Sequence, residues 1–216
     1  MDNYFITKSP YTKASHNKSL LKIVKLVNKA FRKFKLGLFI NPIDTTVDMN
    51  TIEQRINYYH LLNSIIQQKV EGDVIELGCF TGQCALLFEK VIEQNNSDKR
   101  LHLYDSFEIK FTEKGNIEDV LLDSFRNAGL KVPYLHKGYF DQTLPHYLPE
   151  KIAFAHIDCG HGGDKLQHKD IMLYCFEQIY PKMSSGSICV LMDYNDPEIN
   201  GHGHDANPGV KLAYDE

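Results

Sequence analysis

Residues 72–83 read Gly72-Asp73-Val74-Ile75-Glu76-Leu77-Gly78-Cys79-Phe80-Thr81-Gly82-Gln83. A short apolar run comes before two glycines, which is typical of a buried strand that turns tightly into a helix. Phe80 stands where a dinucleotide-binding turn has its second glycine, so NAD and FAD are unfavourable ligands. S-adenosylmethionine suits the turn better, because it has no phosphates and carries a carboxylate and an ammonium group. A plain turn between strand and helix is the alternative.

Apolar runs and helical stretches alternate from residue 72 onward. This alternation predicts an α/β fold, a Rossmann-like, doubly wound and mostly parallel sheet of about five strands. Ligands of such sheets bind beyond the carboxyl ends of the strands. The predicted strands are Val74–Leu77, Leu101–Tyr104, Val132–Leu135, Ile152–Ile157 and Ser187–Leu191, and helices are predicted at 82–94, 117–128 and 165–180.

The amino-terminal segment differs in charge from the rest of the chain. Residues 1–40 contain nine Lys or Arg and one acid, so they carry +8 and the remaining 176 residues carry −12. Basic and apolar residues interleave at helical spacing over 16–35, which predicts a basic amphipathic helix within an arm of residues 1–47. We expect its apolar face to pack on its own domain or on the partner in a homodimer, with anionic membrane as the weaker alternative. A helix at 50–69 then opens the domain of residues 48–216.

Overall composition excludes several classes of protein. The 216 residues are 43% hydrophobic and 24% charged, with a net charge of −4, which is ordinary for a globular domain and disfavours a nucleic-acid binder. The sequence has no apolar run long enough to predict a membrane span or a secretory signal. Five scattered cysteines without a CxxC pair disfavour a disulfide scaffold and favour a cytoplasmic protein.

Acidic residues follow three of the predicted strands. Asp105 ends the second strand and is placed to accept both hydroxyls of a ribose, next to Ser106. Asp158 and Asp193 follow neighbouring strands, so their carboxylates either repel each other or share a divalent cation such as Mg²⁺. His161, three residues past Asp158, is a candidate base for a substrate hydroxyl. Capping aspartates and a surface histidine are the alternatives.

A cluster of His202, His204 and Asp205 in a Gly-rich stretch has two interpretations. The residues suit a zinc or copper site, but a loop of this composition is more often a substrate lid.

The order of these motifs resembles class I S-adenosylmethionine-dependent O-methyltransferases, and more narrowly the macrocin O-methyltransferase family. Enzymes of that family methylate sugar hydroxyls of natural products with help from a divalent metal. The resemblance covers roughly residues 48–216, and its most family-specific stretch is Lys137–Pro145. The other matching stretches are Gly72–Gly78 with Gly82, Leu103–Glu108, Ile157-Asp158, Tyr180–Gly186, Asp193-Tyr194 and Gly209–Ala213.

The resemblance implies that Asp158 and Asp193 bind metal and that a catalytic base follows Asp158, a position that His161 fits. The sequence also departs from the family pattern. Met192 stands where the family has the first of two adjacent acids, and Gly160 where many members have an aspartate. The family has a further pair of strands after the helix that follows Pro208, so that strand pair is expected to be absent here.

These observations together predict an S-adenosylmethionine-dependent, metal-assisted O-methyltransferase that acts on a hydroxyl of a sugar or glycosylated metabolite. His161 is the predicted catalytic residue, and Asp158 and Asp193 are the predicted metal ligands. A non-catalytic scaffold or partner-binding protein that keeps the cofactor fold is the alternative. The predicted cofactor-binding residues are Glu76, Gly78, Phe80, Gly82, Asp105, Ser106 and Asp158.

Overall fold

The computed structural model describes Phe5, Tyr11 and residues 18–40, 50–110, 115–160, 163–200 and 207–216. The strands are β1 (Asp73–Leu77), β2 (Leu101–Asp105), β3 (Tyr134–Lys137), β4 (Ile152–Ile157) and β5 (Met183–Leu191). The helices are α1 (Lys18–Lys33), α2 (Ile52–Gln67), α3 (Gln83–Gln94), α4 (Ile117–Ala128), α5 (Phe140–Tyr147), α6 (Lys165–Ile179), α7 (Pro197–Asn200) and α8 (Gly209–Tyr214). All five strands pair in parallel in the order β3-β2-β1-β4-β5. The predicted doubly wound α/β fold is therefore confirmed.

Helices cover both faces of the sheet. Alternate strand side chains, such as Val74 and Phe154, pack under α2, α3 and α4 on one face. The side chains between them, such as Leu77 and Ala155, pack under α5, α6 and α8 on the other face. Burial on both faces explains why the inner strands read as continuous apolar runs in the sequence.

Several elements differ from the sequence prediction. Strand β5 begins at Met183, four residues earlier than predicted, and the short helix α7 was not predicted. Strand β3 begins at Tyr134, two residues later than predicted, because Pro133 has no N–H to donate to a neighbouring strand. Helix α5 was not predicted. It is only 8 residues long, contains Pro145, and its N-cap Tyr139 makes no side-chain capping hydrogen bond. A helix this short carries too little apolar periodicity to be read from sequence.

The amino-terminal arm contains the predicted amphipathic helix, α1. The amide of Asn28 exchanges two hydrogen bonds of 2.8 Å with the backbone of Ile40, which ties the segment after α1 back onto the helix. Large apolar side chains of this region are exposed in the single chain, among them Ile23 (59%), Leu26 (69%) and Phe34 (68%). Packing of this face on a partner subunit, or its contact with a membrane, stays a prediction. Within the described ranges, no helix is long and apolar enough to cross a bilayer.

A buried carboxyl group on α3 gives the fold a pH dependence. Glu89 is 4% exposed, and burial raises its pKa to about 7, with the charge of Glu93 adding to the effect and Lys131 opposing it. Because the folded pKa lies above the ordinary value of 4.5, this group makes the fold less stable as the pH rises from about 4.5 to about 7. We expect Glu89→Gln to raise the unfolding free energy by roughly 1–3 kcal/mol at pH 8 and to change it little at pH 4.

Urea unfolding of wild type and variant at the two pH values measures this difference. Glu177→Gln, at an exposed position of α6, is the matched control and should give no such pH-dependent gain. An equal effect of Glu89→Gln at both pH values would contradict the assignment of the titration to Glu89.

Candidate functional site

A cavity of about 700 Å³ lies at the carboxyl edge of the sheet. Its wall includes a residue at or directly after the end of every strand. In the order β1 to β5, these residues are Gly78, Asp105, Gly138, Asp158 and Met192. The residues that complete the wall are Asn50, Glu76, Cys79, Phe80, Thr81, Gln83, Cys84, Ser106, Ile109, Tyr139, Phe140, Asp141, Cys159, Gly160, Gln167, Asp170, Ile171 and Tyr174.

The turn after β1 passes directly over the end of β4. Gly78 has a φ of +81°, and a Cβ placed on it would lie 1.9 Å from the carbonyl oxygen of Asp158. Its N–H donates to the carbonyl of Tyr104 on β2, over 2.8 Å. Only glycine fits this position, for two independent reasons: the left-handed backbone and the lack of space.

Phe80 adopts a left-handed backbone without being a glycine, with a φ of +46°. Its ring packs against the core and also lines the cavity. A non-glycine residue in this region of φ is strained, and the surrounding contacts must hold it there.

Asp105 provides those contacts. Its Oδ2 accepts hydrogen bonds from the backbone N–H groups of Cys79 and Phe80, each over 2.9 Å, and its Oδ1 accepts one from Phe107 over 2.7 Å. Sequence reasoning assigned this carboxylate to a ribose and did not foresee its bonds to the turn after β1. Ser106, the next residue, also lines the cavity, and its Oγ accepts from the N–H of Glu108.

Glu76 and His156 form a buried pair on the neighbouring strands β1 and β4, where they are directly opposite in register. They are 1% and 0% exposed, and Nδ1 of His156 is hydrogen-bonded to Oε1 of Glu76 over 2.9 Å. Oε2 of Glu76 is buried with no hydrogen-bond partner among the described residues, although Glu76 lines the cavity. Burial raises the pKa of Glu76, while the hydrogen bond and charge of His156 oppose the rise.

The structure brings Asp158 and Asp193 within electrostatic range of each other. Burial raises the pKa of Asp158 to about 7, and the charges of Asp193 and Glu76 add to this, whereas His156 opposes it. Asp193 has a φ of +61°, and its Oδ2 accepts a hydrogen bond from the amide of Asn207. Because the charge of Asp193 helps to raise the pKa of Asp158, a shared divalent cation fits this pair, since it would relieve the repulsion between the two carboxylates.

Met192 supplies no oxygen ligand at the position where the macrocin family, which the sequence resembles, has one. Its thioether sulfur accepts a hydrogen bond of 2.9 Å from the hydroxyl of Tyr58 on α2. The described residues therefore offer two carboxylates to a hard cation at this place.

Of the remaining predicted residues, some have a structural role and others lie outside the described part of the chain. Gly82 is the N-cap of α3, where a Cβ would come 2.9 Å from Cγ of Leu121 on α4, so it serves helix packing. His161, His202 and His204 lie outside the described residues. Sequence reasoning missed Asp141 on α5. The signal available for it was the family-specific stretch Lys137–Pro145, whose residues Gly138 to Asp141 all line the cavity.

The cavity wall is acidic. Five carboxylates line it, and within the described residues no Lys, Arg or His does. The acidic members are Glu76, Asp105, Asp141, Asp158 and Asp170.

A sequence profile of one family, described as a methyltransferase domain, matches residues 75–194. The chain belongs to the methyltransferase domain family. The matched residues run from β1 to just beyond β5, so they include every strand whose end lines the cavity. The prediction of a class I methyltransferase enzyme is thereby confirmed. No curated protein sequence matches this methyltransferase.

Solved O-methyltransferase structures share the fold of this methyltransferase at low sequence identity. The O-methyltransferase NovP is 21% identical and superimposes with a TM-score of 0.63 over 79% of this chain and 72% of its own. TomG from Streptomyces achromogenes, solved with S-adenosylmethionine, is 16% identical, with a TM-score of 0.55 over 98% and 81%. An O-methyltransferase from Bacillus cereus, solved with S-adenosylhomocysteine, is 17% identical, with a TM-score of 0.55 over 99% and 83%. The narrower assignment to the macrocin family stays a prediction.

Proposed function

We propose that the chain transfers a methyl group from S-adenosylmethionine to a hydroxyl oxygen of a sugar or glycosylated metabolite, with help from Mg²⁺ or a similar divalent cation. The observation that carries the proposal is the acidic wall of the cavity at the carboxyl ends of all five strands. Such a wall attracts the sulfonium and ammonium groups of S-adenosylmethionine and repels the phosphates of a dinucleotide. Membership of the methyltransferase domain family selects the same cofactor.

Several residues would hold the cofactor. The unpartnered Oε2 of Glu76 is suited to an ammonium group, which would satisfy this buried acceptor. Gly78 keeps the cavity wall free of a side chain. Asp105 already accepts three backbone hydrogen bonds, two on Oδ2 and one on Oδ1, so about one lone pair, on Oδ1, is left for a ribose hydroxyl. The bound cofactor supplies an electrophilic methyl group, and the contribution of the protein is to align that carbon with the acceptor oxygen.

Asp158 and Asp193 would hold the divalent cation, as expected from the family resemblance. A cation there would bind the acceptor oxygen and lower the pKa of its hydroxyl group. His161 follows Gly160, which lines the cavity, and is proposed to take the hydroxyl proton as the oxygen attacks. His161→Ala should then slow methyl transfer and leave cofactor binding unchanged.

A sugar acceptor is supported by the motif resemblance and by the chemistry of the wall. Asp141 and Asp170 line the cavity and lie at exposed positions of α5 and α6, so their carboxylates are available to accept hydrogen bonds from vicinal hydroxyls.

All five cysteines lie in described residues and are free, which agrees with the proposal of a cytoplasmic enzyme.

A non-catalytic protein that binds the cofactor is the competing function, and Met192 in place of a metal ligand favours it. Calorimetry with S-adenosylmethionine and S-adenosylhomocysteine, followed by turnover assays on a panel of sugar hydroxyls, separates the two. Binding with methyl transfer supports the proposal. Tight binding of S-adenosylhomocysteine with no turnover on any hydroxyl supports the non-catalytic alternative, and no binding of either compound contradicts both.

The Asp105→Ala variant tests the cofactor site itself. We expect the affinity for S-adenosylhomocysteine to weaken by about 1.5–3 kcal/mol, because a charged hydrogen-bond acceptor and the brace of the turn after β1 are lost together. Calorimetry of the folded variant measures the effect. Asp123→Ala, at a position whose side chain is 65% exposed on α4, is the matched control. Unchanged affinity in Asp105→Ala would remove this carboxylate from the cofactor site.

A further inference from the structure

Three side chains with metal-binding donors meet beneath the cavity. Glu76 of β1, Cys84 of α3 and His156 of β4 offer a carboxylate oxygen, a sulfur and a ring nitrogen that all lie within 4.8 Å of one another. Their residues are 1%, 6% and 0% exposed. Glu76 and Cys84 also line the cavity wall, so a small ion can reach the group from the cavity.

Two atoms of this group lack partners. Oε2 of Glu76 and Nε2 of His156 are buried without a hydrogen-bond partner among the described residues. Leaving such an atom unsatisfied costs about 1–3 kcal/mol, so a ligand that reaches either atom would be favoured. The rings of Tyr58 and Phe88 lie edge-on to His156, at centroid distances of 4.9 and 5.4 Å, and supply an apolar surround.

Cys84 is protonated when no ion is bound. Burial raises the pKa of its thiol, and the charges of Glu76 and Asp158 raise it further. The sulfur is 3.2 Å from Oδ1 of Asn50, which accepts the thiol proton in a hydrogen bond. An incoming divalent cation would take the sulfur as thiolate, and the displaced proton would leave to solvent.

The donor set determines the kind of cation. Carboxylate, imidazole and thiolate together suit Zn²⁺ or Co²⁺, whereas Mg²⁺ takes oxygen ligands. We propose that Glu76, Cys84 and His156 bind one Zn²⁺-like cation at the floor of the cavity, and that this cation competes with the cofactor for Glu76. The ligands of this site differ from the proposed oxygen pair of Asp158 and Asp193. Only the competition rests on the proposed function, since the binding of the cation does not require it.

Cobalt binding to the full chain tests the site directly. The chain is freed of metal with EDTA, dialysed, and titrated with Co²⁺. We expect a near-ultraviolet charge-transfer band, diagnostic of a thiolate–cobalt bond, that saturates at about one equivalent and disappears on addition of Zn²⁺. Absence of the band in the wild-type chain would overturn the site.

Matched cysteine variants identify which cysteine sulfur binds the cobalt ion. Cys84→Ser should lose the band, while Cys189→Ser, on β5 and outside the cluster, should keep it. Circular dichroism establishes that each variant is folded. A band that persists in folded Cys84→Ser would overturn the assignment. Mass-spectrometric mapping of alkylation in the wild-type chain is independent of any variant, and bound Zn²⁺ should slow modification of Cys84 at least tenfold. An unchanged rate would contradict the site.

Calorimetry with S-adenosylhomocysteine tests the competition. We expect saturating Zn²⁺ to weaken its binding at least tenfold in the wild-type chain and to have little effect in Cys84→Ser. Unchanged binding in the presence of Zn²⁺ would overturn the competition. Absence of S-adenosylhomocysteine binding without Zn²⁺ would instead contradict the proposed function, and the cobalt band would still report on the metal site.

Discussion

Replacing Gly78 by alanine is expected to abolish measurable cofactor binding and to lower the unfolding free energy by about 2–5 kcal/mol. The added Cβ would lie 1.9 Å from the carbonyl oxygen of Asp158, and the backbone would have to hold a φ of +81° with a side chain present. The clash is with backbone atoms of the residue directly after β4, so no side-chain rotation relieves it. Relief requires the turn after β1 to move, and this turn forms one wall of the cavity.

Gly129→Ala is the matched control for this variant. Gly129 is the C-cap of α4 and also has a left-handed backbone, with a φ of +65°, but a Cβ there would meet nothing within 4 Å. We expect this control to lose about 1 kcal/mol of stability and none of its affinity for S-adenosylhomocysteine. Urea unfolding and calorimetry measure both quantities. Wild-type affinity in Gly78→Ala would show that the turn does not form the cofactor site.

Asp158→Asn is expected to slow methyl transfer by about 10²–10⁴-fold while S-adenosylhomocysteine still binds. The variant keeps the shape of the side chain but cannot supply a negative charge to a cation. Because burial raises the pKa of Asp158 to about 7, its charged form is disfavoured unless a cation binds. The neutral amide should therefore leave the protein at least as stable as the wild type at pH 8, which separates lost activity from lost folding.

The same carboxyl group sets the expected pH dependence of the rate. At low Mg²⁺ the wild-type rate should fall as the pH drops through about 7, because the protonated Asp158 cannot bind the cation. Saturating Mg²⁺ should move this fall to lower pH. Asp193→Asn should resemble Asp158→Asn, and the double variant should be little worse than either, since both remove one cation. Full activity of both single variants in EDTA would eliminate the metal role.

The sequence was sufficient to predict the sheet, because its inner strands β1, β2 and β4 are buried on both faces and the strands are separated by helices. It also predicted that acids at strand ends would face one region, since the carboxyl ends of parallel strands share an edge. Asp105 and Asp158 indeed line one cavity. The local signal was strong at Gly78, so the tight turn between strand and helix, and the need for a glycine in it, both followed from the residues alone.

Long-range pairing was the part that the sequence could not give. His156 lies inside an apolar run and reads as one more strand residue. Its partner Glu76 is 80 positions away, and their contact depends on the register of β1 against β4. The bonds from Asp105 to the turn after β1 depend in the same way on how β2 lies beside β1. Register follows from the packed sheet, and no local pattern in one sequence encodes it.

The hydrogen bond between Glu76 and His156 has a consequence for synthesis on the ribosome. The two residues are 80 positions apart, and the backbone of Asp158 closes the turn at Gly78 just beyond them. While β4 is still inside the ribosome, the nascent chain therefore lacks the proposed site of Glu76, Cys84 and His156 and one wall of the cavity, even if β1 and β2 have already paired. Such distant closures form slowly, because the entropy of the intervening loop opposes them until β4 docks. The nascent chain should consequently gain affinity for the cofactor only after β4 has docked. Cofactor present during synthesis will therefore not guide the first steps of folding.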